Sequence, residues 1–170
     1  QRDEELAEQL FSEVIESGNV ALEYLGIVKR AATTFSGDVQ LTAMAPNGDI
    51  NVLLGDFTGH GLGSTIGALP MAETFRVMTH KGFTPTEIIA QINRKLYDLL
   101  PSNIFLAAAM VTLPANENVA YIWNGGLPDV LVFDGKQCAL KSRAPSRHPP
   151  LGIMADLLPE QRAAVVQLAP

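Results

Sequence analysis

The chain has 170 residues, a formal net charge of −6 and one cysteine, Cys138. This length fits one domain with a substantial core, and no apolar run reaches the roughly 18 residues of a membrane span. Without a basic tract, nucleic-acid binding is disfavoured, because phosphate contacts need clustered Lys and Arg. The polar N-terminus is unlike a secretory signal. We therefore expect a cytoplasmic protein that binds neither nucleic acid nor membrane.

Residues 3–17 are predicted to form an amphipathic helix. Its apolar stripe comprises Leu6, Ala7, Leu10, Phe11, Val14 and Ile15. The steps from Ala7 to Leu10 and Val14 also fit a coiled-coil seam, although the helix is too short for three heptads. Packing on its own domain and a homodimer through this helix therefore both stay open.

Three strands are predicted next, at residues 21–32, 38–45 and 50–56. Between the last two, Pro46-Asn47-Gly48-Asp49 indicates a hairpin, because Asn and Gly tolerate positive φ.

Two helices follow the hairpin. The first spans about Ser64 to His80, and Pro70 inside it should kink it. The second is marked by an N-cap at Thr84, Pro85 at the first helical position and Glu87 completing a capping box. It should end near Pro101, with a buried face of Ile88, Ile89, Ile92, Leu96 and Leu99.

Strands dominate the rest of the chain, at residues 104–113, 119–124, 130–133, 137–140 and 163–168. Asp134-Gly135 indicates a hairpin between the third and fourth of these, and Cys138 is interpreted as an ordinary strand residue. Strands on both sides of a central helical pair predict an α+β fold, with helices layered on mainly antiparallel sheets.

Two carboxylates, Asp38 and Asp56, mark the ends of the first hairpin. A two-residue turn would place them on opposite faces of the sheet. A three-residue loop, Asn47-Gly48-Asp49, would place them on one face as diagonal neighbours about 7–8 Å apart, with Asp56 facing Gln40. We predict this loop or an equivalent bulge, because carboxylates that share a face suit a pair of divalent ions, and oxygen ligands favour Mg²⁺ or Mn²⁺.

The segment after Asp56 is rich in glycine, at Gly59, Gly61 and Gly63. Glycine lets the backbone approach an ion or phosphate closely and leads here into a helix N-terminus. The alternative is that Asp56 ends a strand and the glycines form a flexible turn. His60 is interpreted as a histidine that faces solvent or contacts a metal ligand, rather than one that binds metal itself, since no Cys or His stands at ligand spacing.

The chain resembles the metal-dependent PPM (type 2C) protein serine/threonine phosphatases, in particular the SpoIIE-like bacterial subgroup. The resemblance rests on Ser36-Gly37-Asp38 and on Gly55-Asp56-Phe57-Thr58-Gly59-His60-Gly61, separated by a hairpin. Asn124-Gly125-Gly126 and Pro150-Leu151-Gly152 fall where the subgroup carries an Asn-x-Gly turn and a Pro-Leu-Gly loop.

The resemblance implies an α-β-β-α sandwich of two mainly antiparallel sheets flanked by helices. It implies that Asp38, Asp56 and the backbone carbonyl of Phe57 bind metal, and that Gly59, His60 and Gly61 lie near the metal or the substrate. Two Mn²⁺ or Mg²⁺ ions are expected in the complete domain. The nucleophile would be metal-activated water, so no side chain is assigned a covalent catalytic role.

The sequence departs from this family at several places. Gln40 and Leu41 stand where a second acidic residue is common, and Leu127 stands where the Asn-x-Gly turn usually continues with His. The chain stops at Pro170, before the downstream Asp-Gly motif and a later Asp, so we expect a C-terminally truncated domain whose remaining ligands lie beyond Pro170.

The resemblance also implies a place in a bacterial signalling regulator. Residues 1–18 would be a linker or signalling helix after a receiver or sensor domain, and residues 19–170 an incomplete phosphatase domain. The expected substrate is a phosphorylated regulatory protein such as an anti-sigma-factor antagonist. The alternative is a pseudophosphatase, which would bind a partner without turnover.

Overall fold

The computed structural model describes residues 2–28, 37–58, 62–157 and 163–168. Within these ranges the chain forms three helices and seven strands. They are α1 (Arg2–Ser17), β1 (Asp38–Met44), β2 (Ile50–Phe57), α2 (Leu62–His80), α3 (Pro85–Leu99), β3 (Leu106–Leu113), β4 (Val119–Gly125), β5 (Val130–Asp134), β6 (Ala139–Ala144) and β7 (Ala164–Gln167). No helix among the described residues is both long enough and apolar enough to cross a membrane.

The strands form two antiparallel sheets. The large sheet has the order β1-β2-β3-β4-β7, and the small sheet pairs β5 with β6. Hairpins join β1 to β2, β3 to β4 and β5 to β6, whereas α2 and α3 lie between β2 and β3 in the chain.

The large sheet separates two apolar cores, because alternate residues of a strand point to opposite faces. On one face, Leu41 and Leu53 pack with Phe75 of α2 and Ile92 of α3. On the other face, residues of β4 and β7 pack with the small sheet: Ile122, Val166, Ala144 and Val130. This arrangement confirms the predicted α+β class, with two antiparallel sheets and flanking helices.

The predicted strand at 21–32 is wrong over its described part, residues 21–28, which form a turn and irregular chain. No apolar residue of residues 21–28 is buried, and Tyr24 and Val28 are 70% and 91% exposed, so no buried face stabilises a strand here. Instead the preceding residues line the outer edge of β1. Val20 N donates to Thr42 O at 3.2 Å, and Thr42 N donates to Asn19 Oδ1 at 3.0 Å.

The capping of α3 agrees with the prediction. Thr84 is the N-cap, its side chain accepts from Glu87 N, and Pro85 opens the helix. The predicted burial of Leu99 is wrong, since that side chain is 51% exposed. Asn93 is buried on this helix instead, because its amide donates to Met154 O and accepts from Gly152 N.

Cys138 is an exposed turn residue with φ of 49°, which corrects its assignment to a strand. The turn is longer than Asp134-Gly135 alone, because Asp134 Oδ1 accepts from both Lys136 N and Gln137 N. Strand β6 therefore begins at Ala139.

Candidate metal site

The hairpin between β1 and β2 places Asp38 directly opposite Asp56. The loop has five residues, 45–49, rather than the predicted three, and Asp56 faces Asp38 rather than Gln40. The loop is closed by hydrogen bonds from Ala45 N to Asp49 O at 2.8 Å and from Gly48 N to Ala45 O at 2.9 Å. Because the register differs from the predicted one by two residues, the carboxylates still share a face.

Asp38 and Asp56 form the kind of cross-strand pair in which opposite side chains come closest. Phe57 N donates to Gly37 O, and Ala45 N donates to Asp49 O, so odd-numbered residues of β1 form the hydrogen-bonded pairs. Asp38 and Asp56 therefore form a non-hydrogen-bonded pair, where opposite Cβ atoms lie about 4.5–5.5 Å apart. They are nearer to each other than the predicted diagonal arrangement allows.

Both carboxylates are exposed at the end of the hairpin, on the face away from the helices. Partial burial raises the pKa of Asp56, and the negative charge of Asp38 raises this pKa further. A divalent cation between the two would offset their repulsion, and paired carboxylate oxygens are ligands that suit Mg²⁺ or Mn²⁺. The residues present therefore fit one part of a divalent-cation site.

Gly37 holds the start of β1 against the end of β2. Its φ is +72°, and a Cβ atom at this position would lie 2.8 Å from Phe57 O, so a side chain would crowd that carbonyl. The ring of Phe57 lies in the core on the helix face. Only the backbone of Phe57 is thus available on the carboxylate side, and its role as a metal ligand stays a prediction.

The rest of the predicted site is not in the described part of the chain. Ser36, Gly59, His60 and Gly61 all lie outside the described residues. Among the residues that are described, no group of three or more His, Cys, Asp or Glu could hold a metal ion. The structure thus brings together Asp38 and Asp56 and leaves the predicted contributions of the glycine-rich segment untested.

The later motifs build the scaffold beside the site. Asn124 is buried and donates through Nδ2 to Pro128 O at 2.9 Å and to Ala144 O at 3.2 Å. Leu151 exchanges backbone hydrogen bonds with Leu106 at 2.7 and 2.9 Å. These contacts tie the two loops to β3 and the small sheet, next to the strand that carries Asp56.

Sequence reasoning missed Asn19, which joins the end of α1 to β1. Its Oδ1 accepts from Thr42 N, and its Nδ2 donates to Gln40 O at 3.0 Å. Arg76 reinforces this contact from α2, because its Nη2 donates to Ile15 O and to Asn19 Oδ1. The Ser17-Gly18-Asn19 sequence is typical of a helix end, but it does not show which strand the asparagine meets.

A sequence profile of the family described as Stage II sporulation protein E (SpoIIE) matches residues 46–170. The chain belongs to the SpoIIE family. The match covers most of this SpoIIE-family chain and includes Asp56, whereas Asp38 lies before it. No curated protein sequence matches the chain.

Solved structures similar to this SpoIIE-family domain include three bacterial proteins. The SiaA-PP2C domain of Pseudomonas aeruginosa has a TM-score of 0.71 and 14% identity, and the match covers 98% of this chain and 65% of that one. The RsbU and RsbW domains of a Mycobacterium tuberculosis protein have a TM-score of 0.67 and 17% identity, and the match covers 84% of this chain and 39% of that one. The third is the PP2C phosphatase domain of SpoIIE from Bacillus subtilis with a fragment of its regulatory domain. It has a TM-score of 0.61 and 16% identity, and the match covers 79% of this chain and 39% of that one.

These likenesses show that the SpoIIE-family chain has the fold of PP2C-type serine phosphatase domains. The chain spans between 39% and 65% of the length of the three structures.

Proposed function

We propose that this domain hydrolyses phosphoserine or phosphothreonine on a partner protein and depends on Mn²⁺ or Mg²⁺. The observation that carries the proposal is the side-by-side placement of Asp38 and Asp56 on a PP2C-type scaffold. These carboxylates, with the backbone carbonyl of Phe57, would hold part of a site for two ions. When bound, such ions activate water and offset charge on the phosphoryl oxygens.

The proposed partner is a phosphorylated regulatory protein of the anti-sigma-factor antagonist type, met in the cytoplasm. Family membership supports a signalling role, and one similar structure carries an RsbU domain together with an RsbW domain. Another includes a fragment of a regulatory domain. In line with this, we propose that residues 1–18 link the phosphatase domain to an upstream receiver or sensor domain.

The proposal is tested by phosphate release from a phosphoserine protein. The intact protein that contains this chain should release phosphate with Mn²⁺ present and stop when the cation is chelated. Release that continues unchanged after chelation would contradict metal dependence. Binding of the phosphoprotein without release, with or without Mn²⁺, would instead indicate the pseudophosphatase alternative.

We further propose that α1 forms a homodimer contact. Its side toward the domain includes buried Ile15, yet Leu6, Leu10 and Val14 are 54–57% exposed and recur every four residues along the helix. Such a stripe is apolar surface that a second copy of α1 would cover.

Leu10→Asp is therefore expected to shift the mass of the intact protein, measured by light scattering, from two chains to one. Leu99→Asp is the matched control, since Leu99 is similarly exposed, at 51%, but lies on α3. A wild-type protein of one chain, or a Leu10→Asp protein of two, would rule out this contact.

A further inference from the structure

Gln40 lies beside the two carboxylates on the same face of the large sheet. It follows Asp38 by two residues on β1, and its partner across the hairpin is Leu54, which precedes Asp56 by two residues. Asp38 and Asp56 are therefore its adjacent and diagonal neighbours. Unlike them, Gln40 is buried, at 3% exposure.

A chain of hydrogen bonds fixes the orientation of the Gln40 amide. Thr42 N can only donate, so the Asn19 atom that it meets at 3.0 Å is the oxygen, Oδ1. Asn19 Nδ2 must then be the donor that meets Gln40 Oε1 at 3.1 Å. Because Gln40 Oε1 is the atom that meets Asn19, Gln40 Nε2 is the atom that does not. The backbone N–H of Thr42 thus decides which amide atom of Gln40 is nitrogen and which is oxygen, a distinction that otherwise has to be assumed.

Gln40 Nε2 is buried and meets no hydrogen-bond partner among the residues that the structure describes. Most buried side-chain polar atoms in proteins are hydrogen-bonded, so this donor calls for an acceptor beyond those it meets here. The Leu54 side chain offers no acceptor, and the Thr42 hydroxyl, which donates to Val20 O at 3.1 Å, is an uncharged one. Within the described part of this face, the neighbouring acceptors that carry negative charge are the carboxylates of Asp38 and Asp56, either of which would form a charge-assisted hydrogen bond.

We propose that Gln40 Nε2 donates to a carboxylate of the Asp38–Asp56 pair when a divalent cation is bound, and so holds that carboxylate in its ligating orientation. Gln40 is then a positioning residue, since it acts on the cation through a ligand. Carboxylates that bind metal are themselves commonly hydrogen-bonded, and loss of such a partner weakens metal binding by about 10–100-fold. The inference rests on the proposed cation site and assigns a role to one of the two residues, Gln40 and Leu41, that stand where a second acidic residue is common.

Gln40→Met and Thr42→Val separate this role from a structural one. Methionine is similar in length and size but cannot donate, so Mn²⁺ binding measured by calorimetry should weaken about tenfold. The melting temperature of the metal-free protein should change little, because the substitution removes an unpaired buried donor and Asn19 Nδ2, which loses Gln40 Oε1, keeps its bond to the backbone O of residue 40 at 3.0 Å. Thr42→Val lies on the same face, one step farther from the carboxylates, and loses the bond to Val20 O. It should lower the melting temperature and leave Mn²⁺ affinity unchanged.

Equal Mn²⁺ affinity in wild type and Gln40→Met would overturn the inference while leaving the cation site intact. A loss of affinity in both variants that follows their loss of stability would also overturn it, since the effect would then be structural. Failure of the wild type to bind Mn²⁺ would overturn the proposed site together with the inference.

Discussion

Asp56→Asn is expected to lower Mn²⁺-dependent phosphate release by about 10²–10³-fold. A bound divalent cation contributes several kcal/mol to stabilising charge in a phosphoryl-transfer transition state, and each 1.36 kcal/mol corresponds to a tenfold change in rate. Asparagine preserves the size of the side chain but removes the charge that attracts the cation. Asp38→Asn should have a similar effect, because the two carboxylates lie directly opposite each other.

Asp98→Asn is the matched control for these variants. Asp98 is an exposed carboxylate on α3 that pairs with Arg94 at 3.3 Å, and an exposed pair of this kind contributes about 0.3–0.5 kcal/mol. Its loss should leave phosphate release unchanged. Melting curves should show that all three variants fold. An Asp56→Asn protein with wild-type activity would exclude Asp56 from the site.

Phe57→Ala is expected to lower the free energy of unfolding by about 3–5 kcal/mol, the usual cost of deleting a buried aromatic ring. The Phe57 side chain is 2% exposed. It packs against α2, where a Cβ atom at Gly67 would lie 3.0 Å from Phe57 Cε1. Phe57, which follows the predicted metal ligand Asp56, thus packs the large sheet against α2. Denaturant unfolding measures its contribution to the free energy of unfolding.

Phe57→Leu separates the side chain from the backbone. If Phe57 acts on the cation through its carbonyl, a folded Phe57→Leu protein should bind Mn²⁺ with wild-type affinity. Phe133→Ala is the control for stability, since Phe133 is 57% exposed and its loss should change the free energy of unfolding by no more than about 0.5 kcal/mol. A stable Phe57→Leu protein with much weaker Mn²⁺ binding would contradict the role assigned to the backbone.

A helix or strand was predicted correctly where the sequence motifs within the segment indicate the same structure that its packing stabilises. The capping box at Thr84 and Glu87 marks the start of α3 because its hydrogen bonds are local. Residues 21–28, in contrast, have the apolar composition of a strand but lie exposed, and composition alone does not reveal whether a segment finds a neighbour. The exposed Leu99 and buried Asn93 show the same limit, because burial of Asn93 depends on contacts some sixty residues away.

The sequence predicted that Asp38 and Asp56 share one face of the hairpin, but it did not predict that they lie directly opposite each other. Asn47-Gly48 indicates a hairpin, but loop length decides the register. The five-residue loop depends on Asp49 N donating to Asn47 Oδ1 and on backbone bonds at Ala45. Gln40 could not be assigned a role from sequence, since the unpaired end of its amide follows from its contact with Asn19.

The most direct test of the cation site is an anomalous-difference map from crystals of the intact protein grown with Mn²⁺. We predict a peak between the carboxylates of Asp38 and Asp56, in direct contact with an oxygen of at least one of them, because hard divalent ions take oxygen ligands. A Mn²⁺ peak elsewhere in the domain, with Asp38 and Asp56 free of it, would contradict the account.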